Sequence, residues 1–313
     1  MAERREKIGV LILIIIMFIA GFVVSRLDFQ KEGLKEGFVV YGDTRTNTDV
    51  HHQIVDEMMD YNLEFVINTG DLVADGRNWT QWETFESIIK PIRDAGIEYY
   101  PVIGNHEQWN SGGKSNYIRI FNFTGYYSFE RNGINFVVVN LYEDYKPNST
   151  QYEWFKDEIN DEKPTIVAMH EPHFKANHEG NEGVREYLIP LIESYGVDAV
   201  FYGHTHIFGL RQENGIYYIV TGGGGAPLYS PNDTNLNVSF KEHHFIYLEK
   251  NGDMLEADVV SINGSILYEF SIPLSLKGKH FSELTGIKAL ITFKESEIEL
   301  LQTTRIQPYR NLI

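Results

Sequence analysis

The sequence predicts an α/β fold with a largely parallel sheet. Two observations carry that prediction. From residue 37 to residue 209, short apolar runs alternate with amphipathic segments of helical period. Five small clusters of Asp, Asn and His each follow an apolar run, and ligands of open α/β sheets collect at the carboxyl ends of strands.

The strand-like runs are Phe38 to Gly42, Phe65 to Thr69, Tyr99 to Ile103, Phe136 to Val139, Thr165 to Met169 and Ala199 to Tyr202. Helix-like segments lie at Asp49 to Tyr61, Gln81 to Ala95, Gln151 to Ile159 and Val184 to Tyr195. His51 and His52 fall on the first of these and are expected to face solvent. After Gly209 the pattern changes to runs such as IYYIVTG and HHFIYLEK, with Asn-Gly turns at Asn214-Gly215 and Asn251-Gly252. Such turns join antiparallel strands, and Asn132-Gly133 marks another hairpin. No linker interrupts residues 37 to 270, so residues 29–273 read as one domain. Residues 274–313 form an extension of no legible role.

Residues Ile8 to Val24 carry no charge over 17 positions. A helix of that length spans roughly 25 Å, the short end of what crosses a hydrocarbon core of about 30 Å. Arg4, Arg5 and Lys7 precede it, which keeps the N-terminus in the cytoplasm and the rest of the chain outside. The reading is a cytoplasmic stub and transmembrane anchor over residues 1–28. A cleaved signal peptide is the rival, although no clear Ala-x-Ala site is present. Six Asn-x-Ser/Thr triplets, at Asn78, Asn122, Asn148, Asn232, Asn237 and Asn263, exceed chance and fit glycosylation outside the cytoplasm.

Composition narrows the chemistry. With 27 Lys and Arg against 44 Asp and Glu the net charge is −17, which argues against a nucleic-acid polymer as partner. A phosphate ester at one local site stays open, because a metal ion can reverse the local field. The chain has no cysteine, so thiolate metal sites and cysteine nucleophiles are excluded. Any metal is held by His, Asp, Glu or Asn.

The five clusters are Gly42-Asp43-Thr44-Arg45, Gly70-Asp71, Gly104-Asn105-His106-Glu107, Met169-His170-Glu171-Pro172 and Gly203-His204-Thr205-His206. Each is weak alone, since a Gly-Asp pair is usually a turn. Together they bring carboxylates, an amide and imidazoles to one cleft, a mixture suited to Mn, Fe or Zn. The run Gly222 to Gly225 lacks the Lys-Ser/Thr of a phosphate-binding loop and reads as close backbone packing beside the site.

These motifs resemble the calcineurin-like metallophosphoesterase superfamily over roughly residues 37 to 250. The run Val220-Thr221-Gly222-Gly223-Gly224-Gly225-Ala226-Pro227-Leu228 looks like the branch related to purple acid phosphatases. The resemblance implies a four-layer α/β/β/α sandwich and two divalent metal ions (Mn, Fe or Zn). It implies that Asp71 bridges the ions, that Asn105, His170 and His204 complete one shell, and that Asp43 and His206 hold the other ion. His106 takes the place of the family's site histidine, which contacts phosphate and protonates the leaving group. The implied reaction is hydrolysis of a phosphate monoester or diester by a metal-bound hydroxide.

Two positions depart from the family pattern. The usual Asp-x-His motif has Arg45 in place of its His, and a guanidinium has no lone pair to give a metal. The Tyr that purple acid phosphatases place three residues after the bridging Asp is Ala74 here. The first metal therefore has a reduced shell. Arg45 is a candidate for direct contact with the substrate phosphate and a part in catalysis, against a plain pairing with a local carboxylate. Asn105 and His173 are further candidates for substrate contact, and His178 lies on the same loop as His173. The alternative to an enzyme is a catalytically weak or inactive cell-surface binding protein on the same scaffold.

Overall fold

The computed structural model describes residues 36–275 apart from 109–110 and 233–234. The anchor expected at 8–24 and nearly all of the extension from 274 lie outside the described residues. Among those described, no helix is long and apolar enough to cross a membrane.

Two mixed sheets face each other. The first has six strands. Its parallel part is β1 (Gly37–Tyr41), β2 (Leu63–Asn68) and β3 (Glu98–Pro101). The second has seven, with β4 (Tyr127–Arg131), β5 (Ile134–Val138), β6 (Thr165–Ala168), β7 (Ala199–Tyr202), β8 (Phe208–Glu213), β9 (Ile216–Thr221) and β10 (Val238–Phe240). Its order is β10-β8-β9-β7-β6-β5-β4. The chain then returns to the first sheet as β11 (His244–Asn251), β12 (Met254–Ser261) and β13 (Ile266–Pro273), giving the order β13-β12-β11-β1-β2-β3.

The expectation of a largely parallel sheet is thus corrected. In the first sheet β1, β2 and β3 form a parallel half and β11, β12 and β13 an antiparallel one; in the second, parallel strands occupy the middle and antiparallel ones the flanks. Asn132-Gly133 and Asn214-Gly215 both hold positive φ at both positions, which matches the right-handed twist of a tight hairpin.

Period-two alternation decides the layers. Phe38 and Val40 of β1 point to the second sheet, and Val39 and Tyr41 point to the outer helices. Phe38 stacks on Phe65 at 4.7 Å and meets Phe136 of the other sheet edge-on at 5.3 Å. Each such buried ring contributes about 1.5–3 kcal/mol relative to exposure. On the first sheet's outer face lie α1 (Thr48–Met58), α2 (Trp79–Ile88) and α3 (Lys90–Asp94), which bury Ile54, Trp82, Phe85 and Ile92. Then come α4 (Asn105–Gln108) and α5 (Ser111–Phe121). The second sheet's outer face carries α6 (Thr150–Ile159), a π-helical turn at Val184–Leu188 and α7 (Ile189–Ser194). Helix, sheet, sheet and helix form four layers.

Proline explains two interruptions. Pro91 and Pro190 have no N–H to donate to the preceding turn, so one expected helix breaks before Pro91 and the other runs through a π-helical turn just before Pro190. His51 is also corrected. It lies on the face shared with Ile54, Val55 and Met58 and is buried, its Nε2 3.0 Å from the Tyr41 hydroxyl.

Candidate metal centre

The site forms where β1, β2, β3, β6 and β7 end. Asp43, Asp71 and His204 all adopt positive φ, at 57°, 55° and 65°. Such non-glycine conformations cost of order 1–3 kcal/mol each, and they cluster at functional sites. Here they turn three side chains back over the strand ends. The turns are tied to one another: Asp43 N–H donates to Gly70 O at 2.9 Å, Arg45 N–H to Asp71 O at 3.2 Å, and His204 N–H to Asp43 Oδ2 at 2.9 Å.

The Gly-rich run closes the back of the site. Gly224 N–H donates to Gly42 O and Ala226 N–H to Asp43 O, both at 2.8 Å. A Cβ on Gly223 would stand 2.2 Å from His244 Nδ1, and one on Gly224 2.3 Å from Gly42 O. Only glycine allows this approach.

Four acceptor atoms converge at the centre. His170 Nδ1–H donates to Thr69 O at 2.8 Å, so its Nε2 carries the lone pair. That Nε2 faces Asn105 Oδ1 at 3.1 Å and Asp71 Oδ1 at 3.3 Å, and His204 Nδ1 lies 3.1 Å from the same Asn105 oxygen. Such separations match the edges of a shell of metal bonds of about 2.0–2.2 Å. Asp43, Asp71 and His170, all buried, each offer one atom within 4.8 Å of the others. Asp43 Oδ1 is buried without a hydrogen-bond partner. A buried orphan acceptor is costly unless a cation meets it. The donor set fits a divalent ion.

The electrostatics agree. Burial would lower the His170 pKa, but the Asp71 and Asp43 carboxylates outweigh it and raise it. Burial and the neighbouring His170 hold His204 down to about 4. Burial works to raise Asp43, yet the surrounding histidines bring it below the ordinary carboxylate range.

Arg45 and His206 stand on the opposite side of Asp71. Arg45 Nε is 3.3 Å from Asp71 Oδ2, and its Nη2 is 3.3 Å from His206 Nε2. His206 Nε2 is also 3.5 Å from Asp43 Oδ1. His106 donates from Nδ1 to Ala74 O at 2.6 Å, which aims its Nε2 toward Asp71 Oδ2, 3.7 Å away.

His173, expected as a substrate contact, is placed elsewhere. Its ring is buried against Phe174 and Tyr218 and bonded through Nδ1 to the Tyr202 hydroxyl at 2.9 Å, with its pKa pushed down to about 3 by burial. The neighbouring His178 comes closer, its ring 5.5 Å from that of His204. Sequence reasoning did not single out Tyr229, which stacks on His206 at 4.5 Å. It also left Glu107 without a role. That buried carboxylate accepts from Asp71 N and Gly104 N with Oε2, at 3.0 and 2.8 Å, and from Val73 N with Oε1 at 3.2 Å. Beside Arg45 opens a cavity of about 190 Å³, lined in part by Thr44, Thr46, Thr48, Leu72, Val73 and Phe85.

Residues 37–208 match a family model described as calcineurin-like phosphoesterase, more than half of the chain. Purple acid phosphatase 18 of Arabidopsis thaliana is 32% identical over 187 residues, covering 50% of this chain and 42% of its own length. Purple acid phosphatase 23 of the same plant is 33% identical over 175 residues, covering 46% and 38%. The chain thus spans less than half the length of these curated relatives. Among solved structures, purple acid phosphatase PPD1 from yellow lupin seeds superposes with a TM-score of 0.65 at 22% identity, covering 76% of this chain and 53% of that one. GAP50 of Plasmodium gives 0.64 at 15% identity, covering 77% and 90%. At those identities the superpositions show the fold.

Proposed function

We propose that this chain, which belongs to the calcineurin-like phosphoesterase family, hydrolyses phosphate monoesters or diesters with a divalent cation, on the extracytoplasmic side of a membrane. One observation carries the reading: Asp71 Oδ1, Asn105 Oδ1, His170 Nε2 and His204 Nδ1 converge within 3.1–3.3 Å contacts with a buried orphan oxygen of Asp43 nearby. A cation bound there supplies Lewis acidity to phosphoryl oxygens and lowers the pKa of water at the site.

The chain's own residues do the rest. The Ala74 carbonyl fixes the His106 ring with Nε2 turned to the site, where its imidazolium form gives a proton to the departing alkoxide. Arg45 keeps N–H groups beyond those bound to Asp71 and His206, and these face non-bridging phosphate oxygens. The cavity beside Arg45 receives the organic half of the ester, with threonine hydroxyls and apolar walls in place of charge.

The outward location rests on the uncharged run from Ile8 to Val24 and on the sequons. The Asn of all six triplets is exposed.

Arg45 seated on Asp71 and His206 favours a second reading, a binding protein on the same scaffold. Hydrolysis of bis(p-nitrophenyl) phosphate and p-nitrophenyl phosphate, after metal stripping and Mn²⁺ titration, separates the two. Metal-dependent release that falls in His106→Ala with metal retained supports the enzyme. No release from folded, metal-loaded chain refutes it.

A further inference from the structure

We infer that the Arg45 guanidinium takes the place of a second cation, so that the site holds one divalent ion and one arginine. This rests on the metal-dependent reading above and narrows it.

The atoms a second ion would need are already engaged. His206 Nδ1–H donates to Pro227 O at 2.8 Å, and a carbonyl only accepts, so His206 Nε2 carries the lone pair. That lone pair receives Arg45 Nη2–H at 3.3 Å. The second oxygen of Asp71, the one turned away from His170, receives Arg45 Nε–H at the same distance. The guanidinium therefore spans the edge between Asp71 and His206. It brings a permanent positive charge that no accessible pH removes.

The two positions that depart from the family pattern do not supply the missing ligands. Position 45 offers donors only, and position 74 is Ala, with no ligand atom in its side chain. A second divalent ion here would share Asp71 with a guanidinium a few ångströms away, cation against cation in a buried site. Asp43 offers an atom within 4.8 Å of ligand atoms of both Asp71 and His170, and its Oδ1 lies 3.5 Å from His206 Nε2, the atom that the guanidinium already engages. On the charge side, the arginine places one permanent positive charge beside Asp71, open to the substrate phosphate.

The experiment loads the full chain with Mn²⁺, removes excess ion by gel filtration, and measures manganese per chain together with its electron paramagnetic resonance spectrum. The expected result is one Mn²⁺ per chain with the hyperfine pattern of an isolated ion. His206→Ala should keep that ion, and His170→Ala should lose it. Arg45→His, checked for folding by circular dichroism, should take up two ions with an exchange-coupled spectrum. Two coupled ions in the unaltered chain, or loss of the ion in folded His206→Ala, overturns the inference and leaves the phosphoesterase reading standing. No ion in the folded, unaltered chain overturns the metal reading itself. Should Arg45→His not fold, the unaltered chain and His206→Ala still decide.

Discussion

Replacing Glu107 by Gln changes one atom and leaves the volume almost untouched. Its effect should nevertheless be large. The carboxylate takes three backbone N–H bonds, two through Oε2 and one through Oε1, and is buried. An amide has one oxygen. Turned toward Asp71 N and Gly104 N, it sets its NH₂ against the Val73 N–H, leaving two buried donors without acceptors. Each unsatisfied group costs about 1–3 kcal/mol, and partial relaxation brings the sum to about 2–4 kcal/mol. For a domain of this size that lowers Tm by about 5–15 °C. Burial and the neighbouring Asp71 push the Glu107 carboxyl up to about 8, so the assay is a thermal melt of the EDTA-treated protein at pH 9, with Glu179→Gln as a control, since that exposed Glu pairs with Lys175 and should shift Tm little. A second readout separates this clamp from general packing. Releasing the Asp71 and Val73 backbone should weaken Mn²⁺ binding by tenfold or more, about 1.4 kcal/mol. A Tm equal to that of the control, with Mn²⁺ affinity unchanged, would refute the assigned role.

Gly104→Ala would place a Cβ 2.3 Å from Asp71 N and Oδ1, so the variant should fold less stably and lose metal in a gel-filtration and metal-analysis assay; full metal content would contradict the packing. His106→Gln should lower kcat by about 10²–10⁴-fold with metal content intact, read from ester hydrolysis. Burial pushes the pKa of His51 and His173 down to about 3 and of His244 to about 4, so the unfolded chain binds protons first on acidification. Their stabilising contribution is complete above about pH 6.5 and drains toward pH 3–4, at about 1.4 kcal/mol per pH unit for each group. Urea unfolding of metal-free protein between pH 7.5 and 5 should show a shallower slope in His51→Gln than in the unaltered chain; equal slopes would count against it. Chain made in a glycosylating secretory host should shift in gel mobility on endoglycosidase treatment, and a chain without any shift would remove the sequon support for an outward location.

Much of the site could be read from residue order alone. Apolar runs of four to six residues ending in Gly-Asp, Gly-Asn-His or Gly-His-Thr-His announce strand ends, because strand burial and the sharp turn after it are local properties. Asp43, Asp71, Asn105, His170, His204 and His206 come together as expected, within the cluster around Asp71. His173 and His178 show the boundary of that approach. They lie five residues apart on one loop, and one is bonded inward to Tyr202 while the other rims the site. Which histidine turns inward depends on Tyr218 of β9, a strand distant in sequence.

The sequence by itself determined the alternation of elements, the hairpins at Asn-Gly pairs and the identity of the metal-competent side chains, since these follow from period, turn chemistry and residue type. Only the tertiary structure decided which strands join each of the two mixed sheets, the burial of His51, the clamp made by Glu107 and the seat of Arg45 between Asp71 and His206. Each of those depends on contacts between segments far apart in the chain, from 10 residues for Tyr41 and His51 to 161 for Arg45 and His206, and no local pattern encodes such a distance.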